Sequence, residues 1–265
     1  INYQYPISAA IYGLMSNSSP QFAQWLHDIG YKNGKGKPYK MFTFSKLQTN
    51  KIDKDSLSKG ILKTFGACSF KFASPVSDNI SNNLVHGIFS NPNLEISSTN
   101  LPKTKFKIQS IDVSPYIYMD NKMIYHTLSP IVTSTYTDNK IDFLMPDDPK
   151  SIDNLKNNLL EKYKLINENN YDGVLDISFQ DPTIYKRKLV KIKENTPQEG
   201  AIKGFETHII INATNEMHRI AQLAGIGERN SLGFGMIEPI GVVVWKVWIL
   251  CYFDLNCIMK KLVLE

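Results

Sequence analysis

A tyrosine and a histidine near the start of the chain fall outside the apolar stripes of the helices that carry them. Ile7, Ala10, Ile11, Leu14 and Met15 recur at helical spacing behind Pro6, and Phe22, Trp25, Leu26 and Ile29 do so behind a Ser19-Pro20 cap pair. At ~100° per residue, Tyr12 lies roughly 130° from the centre of the first stripe and His27 roughly 150° from that of the second. Both are therefore expected outside the core, free to act on a ligand. An unperturbed imidazole titrates near ~6.5 and can give or take a proton around neutrality. A phenol, near ~10, is a less ready base and better suited to orienting or donating. Lys40 opens the strand-like stretch Tyr39 to Ser45 on the face of Phe42 and Phe44, so its ammonium should emerge beyond an apolar surface, where it could stabilise a developing anion. Taken singly, each is more often a packing tyrosine, a hydrogen-bonded surface histidine or a solvated lysine. His86, His126, His208 and His218 are assigned to such structural roles.

A second chemistry-bearing stretch runs from Gly225 to Gly235 and reads Gly-Ile-Gly-Glu-Arg-Asn-Ser-Leu-Gly-Phe-Gly. Glycine lacks a Cβ and tolerates positive φ, so such a loop can bring backbone N–H groups close to a phosphate. The dinucleotide fingerprint would need a third glycine where Asn230 stands, and a strand before the loop. Here Thr214 to Leu223 has helical spacing before it, and Leu232 to Ile240 reads as a strand after it. No Gly-Lys-Ser/Thr triplet follows a strand, so both familiar nucleotide loops are disfavoured. A connection kept small for packing is the plainer alternative. Candidate contacts to phosphates or base edges are Arg229, Asn230 and Ser231, framed by Gly225, Gly227, Gly233 and Gly235. Lys186, Arg187, Lys188, Lys191 and Lys193 could track a nucleic-acid backbone, or guard a sheet edge.

The pattern of Gly-hydrophobic-Gly, a polar basic run and hydrophobic-Gly-Phe-Gly resembles the C-terminal motif of the Cas6 family. These are CRISPR-associated endoribonucleases of the RAMP superfamily that process precursor CRISPR RNA. The runs Tyr-Gln-Tyr-Pro-Ile-Ser-Ala-Ala-Ile-Tyr at 3–12, Trp-Leu-His-Asp at 25–28 and Tyr-Lys-Met-Phe-Thr-Phe-Ser at 39–45 are similar to the catalytic region of the same family. The motifs occur in order over roughly residues 3–240. The resemblance implies that Tyr12, His27 and Lys40 act together in scission of repeat RNA by its own 2′-hydroxyl, leaving a 2′,3′-cyclic phosphate and a 5′-hydroxyl. His27 and Tyr12 are assigned to proton transfer, with acid and base left open, and Lys40 to charge stabilisation. CRISPR repeat RNA is the implied partner; contacts with effector-complex subunits and a homodimer are compatible with it. The alternative is a non-catalytic RNA-binding subunit of a CRISPR effector complex, but such a binder has no need of all three side chains.

Composition sets wider limits. The 265 residues are 42% hydrophobic and 21% charged, ordinary for a globular protein, and the net charge of +5 suits an acidic partner. Cys68, Cys251 and Cys257 show no metal-ligand spacing and the five histidines are scattered, so neither a cofactor nor a metal site is expected, and free thiols fit a reducing compartment. No apolar run reaches the ~20 residues of a membrane span; a cytoplasmic protein without a membrane partner is the expectation.

The elements read as an α+β fold of two tandem ferredoxin-like (RRM-like) βαββαβ domains. Residues 1–118 form the first, carrying the candidate catalytic side chains but lacking an opening strand, and residues 119–240 the second, with the glycine-rich loop. The tail, 241–265, is atypical. Met259-Lys-Lys-Leu-Val-Leu-Glu resembles the start of a reading frame and of a first strand, so the tail is expected to supply the absent edge, or the chain order is not the natural one.

Overall fold

Ser19 starts the second helix as its spacing predicts. Its Oγ accepts the N–H of Phe22 at 3.4 Å, and Pro20 occupies the first turn, where no backbone donor is needed. The computed structural model describes residues 2–34, 36–52, 55, 62–98, 101–113, 118–194, 196–241, 247–252 and 258–259. The first half runs α1 (Gln4–Ser18), α2 (Pro20–Asp28), β1 (Tyr31–Lys32), β2 (Pro38–Tyr39), β3 (Thr43–Phe44), β4 (Gln48–Ile52), β5 (Leu62–Ala73), α3 (Asn82–Ser90), β6 (Asn93–Ser98) and β7 (Leu101–Asp112). The second runs β8 (Lys122–Thr127), β9 (Ser134–Thr137), β10 (Lys140–Phe143), α4 (Pro149–Asn167), β11 (Asp176–Phe179), β12 (Lys186–Ile192), β13 (Gly200–Glu206), β14 (His208–Asn212), α5 (Asn215–Leu223) and β15 (Ile237–Pro239). The tail adds β16 (Val247–Tyr252) and β17 (Ile258–Met259).

In the second half the sheet order is β11-β14-β8-β15, all antiparallel. Numbered within the motif, that is 2-3-1-4, with α4 and α5 as the two crossovers: the ferredoxin-like arrangement. The hairpins β9–β10 and β12–β13 stand outside this sheet as insertions. Asp148 caps α4 by accepting the N–H of Lys150 at 2.9 Å, and Thr214 caps α5 through the N–H of Met217 at 3.4 Å.

The first half shares this plan. β16 lies antiparallel between β5 and β7, the position of an opening ferredoxin-like strand. Its place is interior, not the edge foreseen from sequence. Lys260 to Glu265, on which the reading-frame resemblance largely rests, lie outside the described residues.

Several element boundaries depart from the sequence reading for identifiable reasons. The stretch Tyr39 to Ser45 is two short strands, because Met41 adopts φ 52° and turns the chain directly after Lys40. Lys203 to Asn212, which reads as one strand in the sequence, divides at Thr207, whose hydroxyl donates to the carbonyl of Ile184 at 3.0 Å. The strand expected from Leu232 begins only at Ile237, because Gly233 and Gly235 hold φ of 82° and 72°, far from extended geometry.

Both halves contribute to one core. Ile7, Ile11, Phe42, Phe44 and Phe72 pack in the same apolar cluster as Tyr125, Leu155, Ile209 and Ile226. Beside it, Lys71 meets Glu238 at 2.6 Å, a largely buried pair joining β5 to β15. Among the described residues, no helix is long and apolar enough to cross a membrane.

Candidate active site

Tyr12, His27 and Lys40 come from three different elements and meet at one place. The Tyr12 ring stands edge-on to the His27 imidazole, with centroids 5.2 Å apart and planes at 85°, and packs against Phe42 at 5.5 Å on another side. The Lys40 Nζ donates to the backbone carbonyl of His27 at 2.6 Å, at the C-terminal end of α2, where the helix dipole favours a cation. Gly30 makes this reach feasible. It ends α2 in the left-handed region at φ 65°, its N–H donating to the Trp25 carbonyl at 2.9 Å, and a Cβ there would fall 2.9 Å from Lys40 Cδ.

The environments of the three differ. The His27 side chain is 67% exposed, and its Nδ1 lies 2.7 Å from the Asp28 carboxylate. A carboxylate can only accept, so Nδ1 carries the hydrogen and Nε2 is left as the exchanging nitrogen. This hydrogen bond holds the Asp28 carboxyl below the usual carboxylate range. Lys40 is half-buried, and desolvation lowers its pKa, opposed by Asp28 and reinforced by Lys32. Tyr12 corrects the sequence expectation: it is half-buried against the core, not free of it. Burial drives its pKa well above that of an ordinary phenol, with hydrogen bonding from Ser231 as the smaller, opposing influence. The group therefore stays a neutral O–H donor across the working range of pH.

Ser231 brings the glycine-rich loop to the same spot. Its carbonyl accepts the Ser8 hydroxyl at 2.6 Å, and Ser8 sits one turn before Tyr12 on the same face of α1. The loop's glycines answer to packing. A Cβ at Gly227 would come within 2.4 Å of the Val132 carbonyl oxygen, at Gly233 within 2.6 Å of the Phe44 ring, and at Gly235 into contact with the Ile226 carbonyl. The amides of Ile226, Glu228, Gly235 and Met236 donate to Gly235, Val132, Pro130 and Ser129, so much of the loop's donor set faces inward. The phosphate-nest geometry that the glycines suggested is thus not what demands them. Asn230 is likewise committed: its amide donates to the carbonyls of Ile226 at 3.0 Å and Phe234 at 3.1 Å.

Two family descriptions match the chain: "CRISPR-associated protein Cas6, N-terminal" over residues 1–109, and "CRISPR associated protein Cas6, C-terminal" over residues 113–239. The chain belongs to the Cas6 family. It is 26% identical over 244 residues to CRISPR-associated endoribonuclease Cas6 1 of Methanocaldococcus jannaschii, covering 90% of this chain and 86% of that one. It is 26% identical to CRISPR-associated endoribonuclease Cas6 of Pyrococcus furiosus, covering 91% and 83%. Among solved structures, a RAMP protein described as binding different RNA substrates superposes with a TM-score of 0.69 at 22% identity, covering 90% and 92%. A Cas6-related protein of Pyrococcus furiosus gives 0.65 at 21% identity, covering 91% of both.

Within this Cas6 fold, the basic strand β12 is less free than its sequence suggests. Lys188 lies 3.6 Å from Glu206, and Lys191 lies 3.2 Å from Glu199. Arg187 donates to the Tyr185 hydroxyl at 3.0 Å and covers its ring, while Lys186 is exposed. Arg229 adopts φ 59°, and its guanidinium stands over the Phe143 ring at 5.9 Å. His218 is structural, as its sequence context suggests: it accepts the Tyr125 hydroxyl at 2.8 Å and donates to the Asn121 carbonyl at 3.0 Å.

Sequence reasoning missed two residues of the site. Asp28 follows His27 directly and gave no spacing signal. Lys162 sits beneath the glycine loop, and its signal was available: it falls at i+7 from Leu155 and i+3 from Leu159, a lysine on the buried stripe of α4.

Proposed function

We propose that this Cas6 chain is a metal-independent endoribonuclease that cuts CRISPR repeat RNA in precursor transcripts by attack of the 2′-hydroxyl on the adjacent phosphodiester. The convergence of phenol, imidazole and ammonium carries the reading. Scission needs a base for the 2′-hydroxyl proton, an acid for the departing 5′-oxygen and a positive charge beside the phosphorane. A neutral Tyr12 is a donor, which leaves His27 Nε2 as the group able to take the 2′-hydroxyl proton. Tyr12 then gives its proton to the departing 5′-oxygen, to be made good from His27 or solvent, and the Lys40 ammonium offsets the growing charge on the phosphate. The 2′-oxygen forms its bond to phosphorus as the bond to the 5′-oxygen breaks. The products are a 2′,3′-cyclic phosphate and a 5′-hydroxyl.

For binding, Arg229 on the loop and Lys186 and Arg187 on β12 are the basic groups we assign to the RNA backbone. The ion-paired Lys188 and Lys191 add to the local field, and Ser231 and the loop glycines shape the wall beside Tyr12. The RAMP protein of similar fold is described as binding different RNA substrates, which is in keeping with this reading. Replacement of His27 by Ala tests the assignment: single-turnover cleavage should fall by ~10²–10⁴-fold with repeat RNA still bound. Undiminished cleavage by that variant would remove His27 from the chemistry.

A further inference from the structure

The glycine loop is folded around a cation of the protein's own. Lys162 is 2% exposed, and its Nζ donates to the carbonyls of Gly225 at 2.7 Å and Gly227 at 3.0 Å and to Asn230 Oδ1 at 2.7 Å. Three acceptors match the three hydrogens of an ammonium; a neutral amine would leave one of them unserved. Asn230, held by Lys162 on its oxygen side, spends its amide hydrogens on the carbonyls of Ile226 at 3.0 Å and Phe234 at 3.1 Å. It also opens the short helical turn Asn230–Leu232, whose end is closed by the Gly233 N–H donating to the Asn230 carbonyl at 2.9 Å. The place of this turn is therefore set from inside the fold.

Arg229 is the residue that the turn presents. Its carbonyl accepts the Leu232 N–H at 2.9 Å, and its backbone is left-handed at φ 59° and ψ 30°. The loop's glycines at 225, 227, 233 and 235 take positive φ readily, whereas an arginine in that region is strained, and such strain persists where the side chain has work to do. The guanidinium stands over the Phe143 ring at 5.9 Å; among the described residues it meets no carboxylate, and its buried Nε has no acceptor. The neighbouring Glu228 is committed elsewhere, to the Ser134 hydroxyl at 2.7 Å and to Lys37 at 3.5 Å. An unneutralised guanidinium on a fixed turn suits a phosphate, whose oxygens it can meet with paired N–H groups.

We propose that Lys162 is a positioning residue for RNA binding: through Asn230, its buried ammonium holds the turn that presents Arg229 to an RNA phosphate. This inference rests on the assignment of Arg229 to the RNA backbone made above and deepens it. Lys162, buried beneath the loop, acts on the RNA only through that turn.

The test measures equilibrium binding of a repeat RNA carrying a 2′-deoxy nucleotide at the cut site, over a range of salt, for the full chain and for Arg229→Gly, Lys162→Met and Asn230→Ala. Arg229→Gly removes the guanidinium and relieves the left-handed backbone. It should weaken binding roughly tenfold and lower the slope of log affinity against log salt by about 0.7, the share of one phosphate contact on a single strand. Lys162→Met should weaken binding to a similar extent with a similar fall in slope. Asn230→Ala, which alters no charge, should do the same; a fall in slope there reports Arg229 displaced, which a general loss of stability does not produce. Adding Lys162→Met to Arg229→Gly should cost little more, since both act through one contact. Wild-type affinity and slope in Asn230→Ala would overturn the proposal, as would losses that multiply in the double variant. Should Lys162→Met fail to fold, Asn230→Ala decides. Undiminished binding by Arg229→Gly would remove Arg229 from the RNA interface and sink the assignment beneath, whereas weakened binding by Arg229→Gly with wild-type binding by the other two variants removes only this inference.

Discussion

Tyr12 and Lys40 have pKa values displaced in opposite directions, and that sets the alkaline behaviour expected of the enzyme. The raised phenol of Tyr12 keeps its proton as pH rises, whereas the lowered Lys40 ammonium loses its charge earlier than a solvated lysine, which titrates near ~10.4. In the role proposed for Lys40 the active form is the protonated one, so cleavage should decline on the alkaline side below the usual lysine range, and the decline should track Lys40. Single-turnover pH profiles check this: Tyr12→Phe should cut more slowly with the alkaline limb in place, and Lys40→Arg should move that limb upward. The residue types of the trio were legible in the sequence, as was the off-stripe placement of His27. The half-burial of Tyr12 was not, because Phe42, which covers it, is thirty positions away and reaches it only through the turn at Met41.

At the scale of elements, the glycine-rich loop is a packed joint between helix and strand. Gly233 and Gly235 combine positive φ with neighbours that leave no room for a methyl group. Gly235→Ala, pressing on the Ile226 carbonyl, should destabilise the chain by roughly 3 kcal/mol or more, and Gly233→Ala, pressing on Phe44, by roughly 2. Gly36→Ala shares the left-handed backbone, with nothing within 4 Å of the added carbon, and should cost only about 1 kcal/mol. Denaturant unfolding of the three variants would establish the order. The helix cap at Ser19 was readable because capping is local chemistry. The division of strands at Met41 and Thr207 was not, since each break is fixed by contacts formed only in the folded chain.

For the molecule as a whole, two ferredoxin-like halves share a core and are bound across it by Lys71 with Glu238, by the Thr43 hydroxyl donating to Phe234 at 3.0 Å, and by Lys46 with Glu206 at 2.7 Å. That arrangement carries Ser231 from one half to Ser8 of the other, one turn before Tyr12 on α1. Tandem repetition of the motif could be read from the order of helices and strands. The interior place of β16 could not, because nothing in the local sequence says which two strands a tail will enter between. The central claim is that the converged phenol, imidazole and ammonium cut RNA through its own 2′-hydroxyl. Incubating the chain with repeat RNA in chelator, alongside the same RNA carrying one 2′-deoxy nucleotide at the cut site, tests this most directly. Cleavage of the first to a 2′,3′-cyclic phosphate and a 5′-hydroxyl, with the second bound but intact, is the predicted result; efficient cleavage of the 2′-deoxy RNA would contradict it.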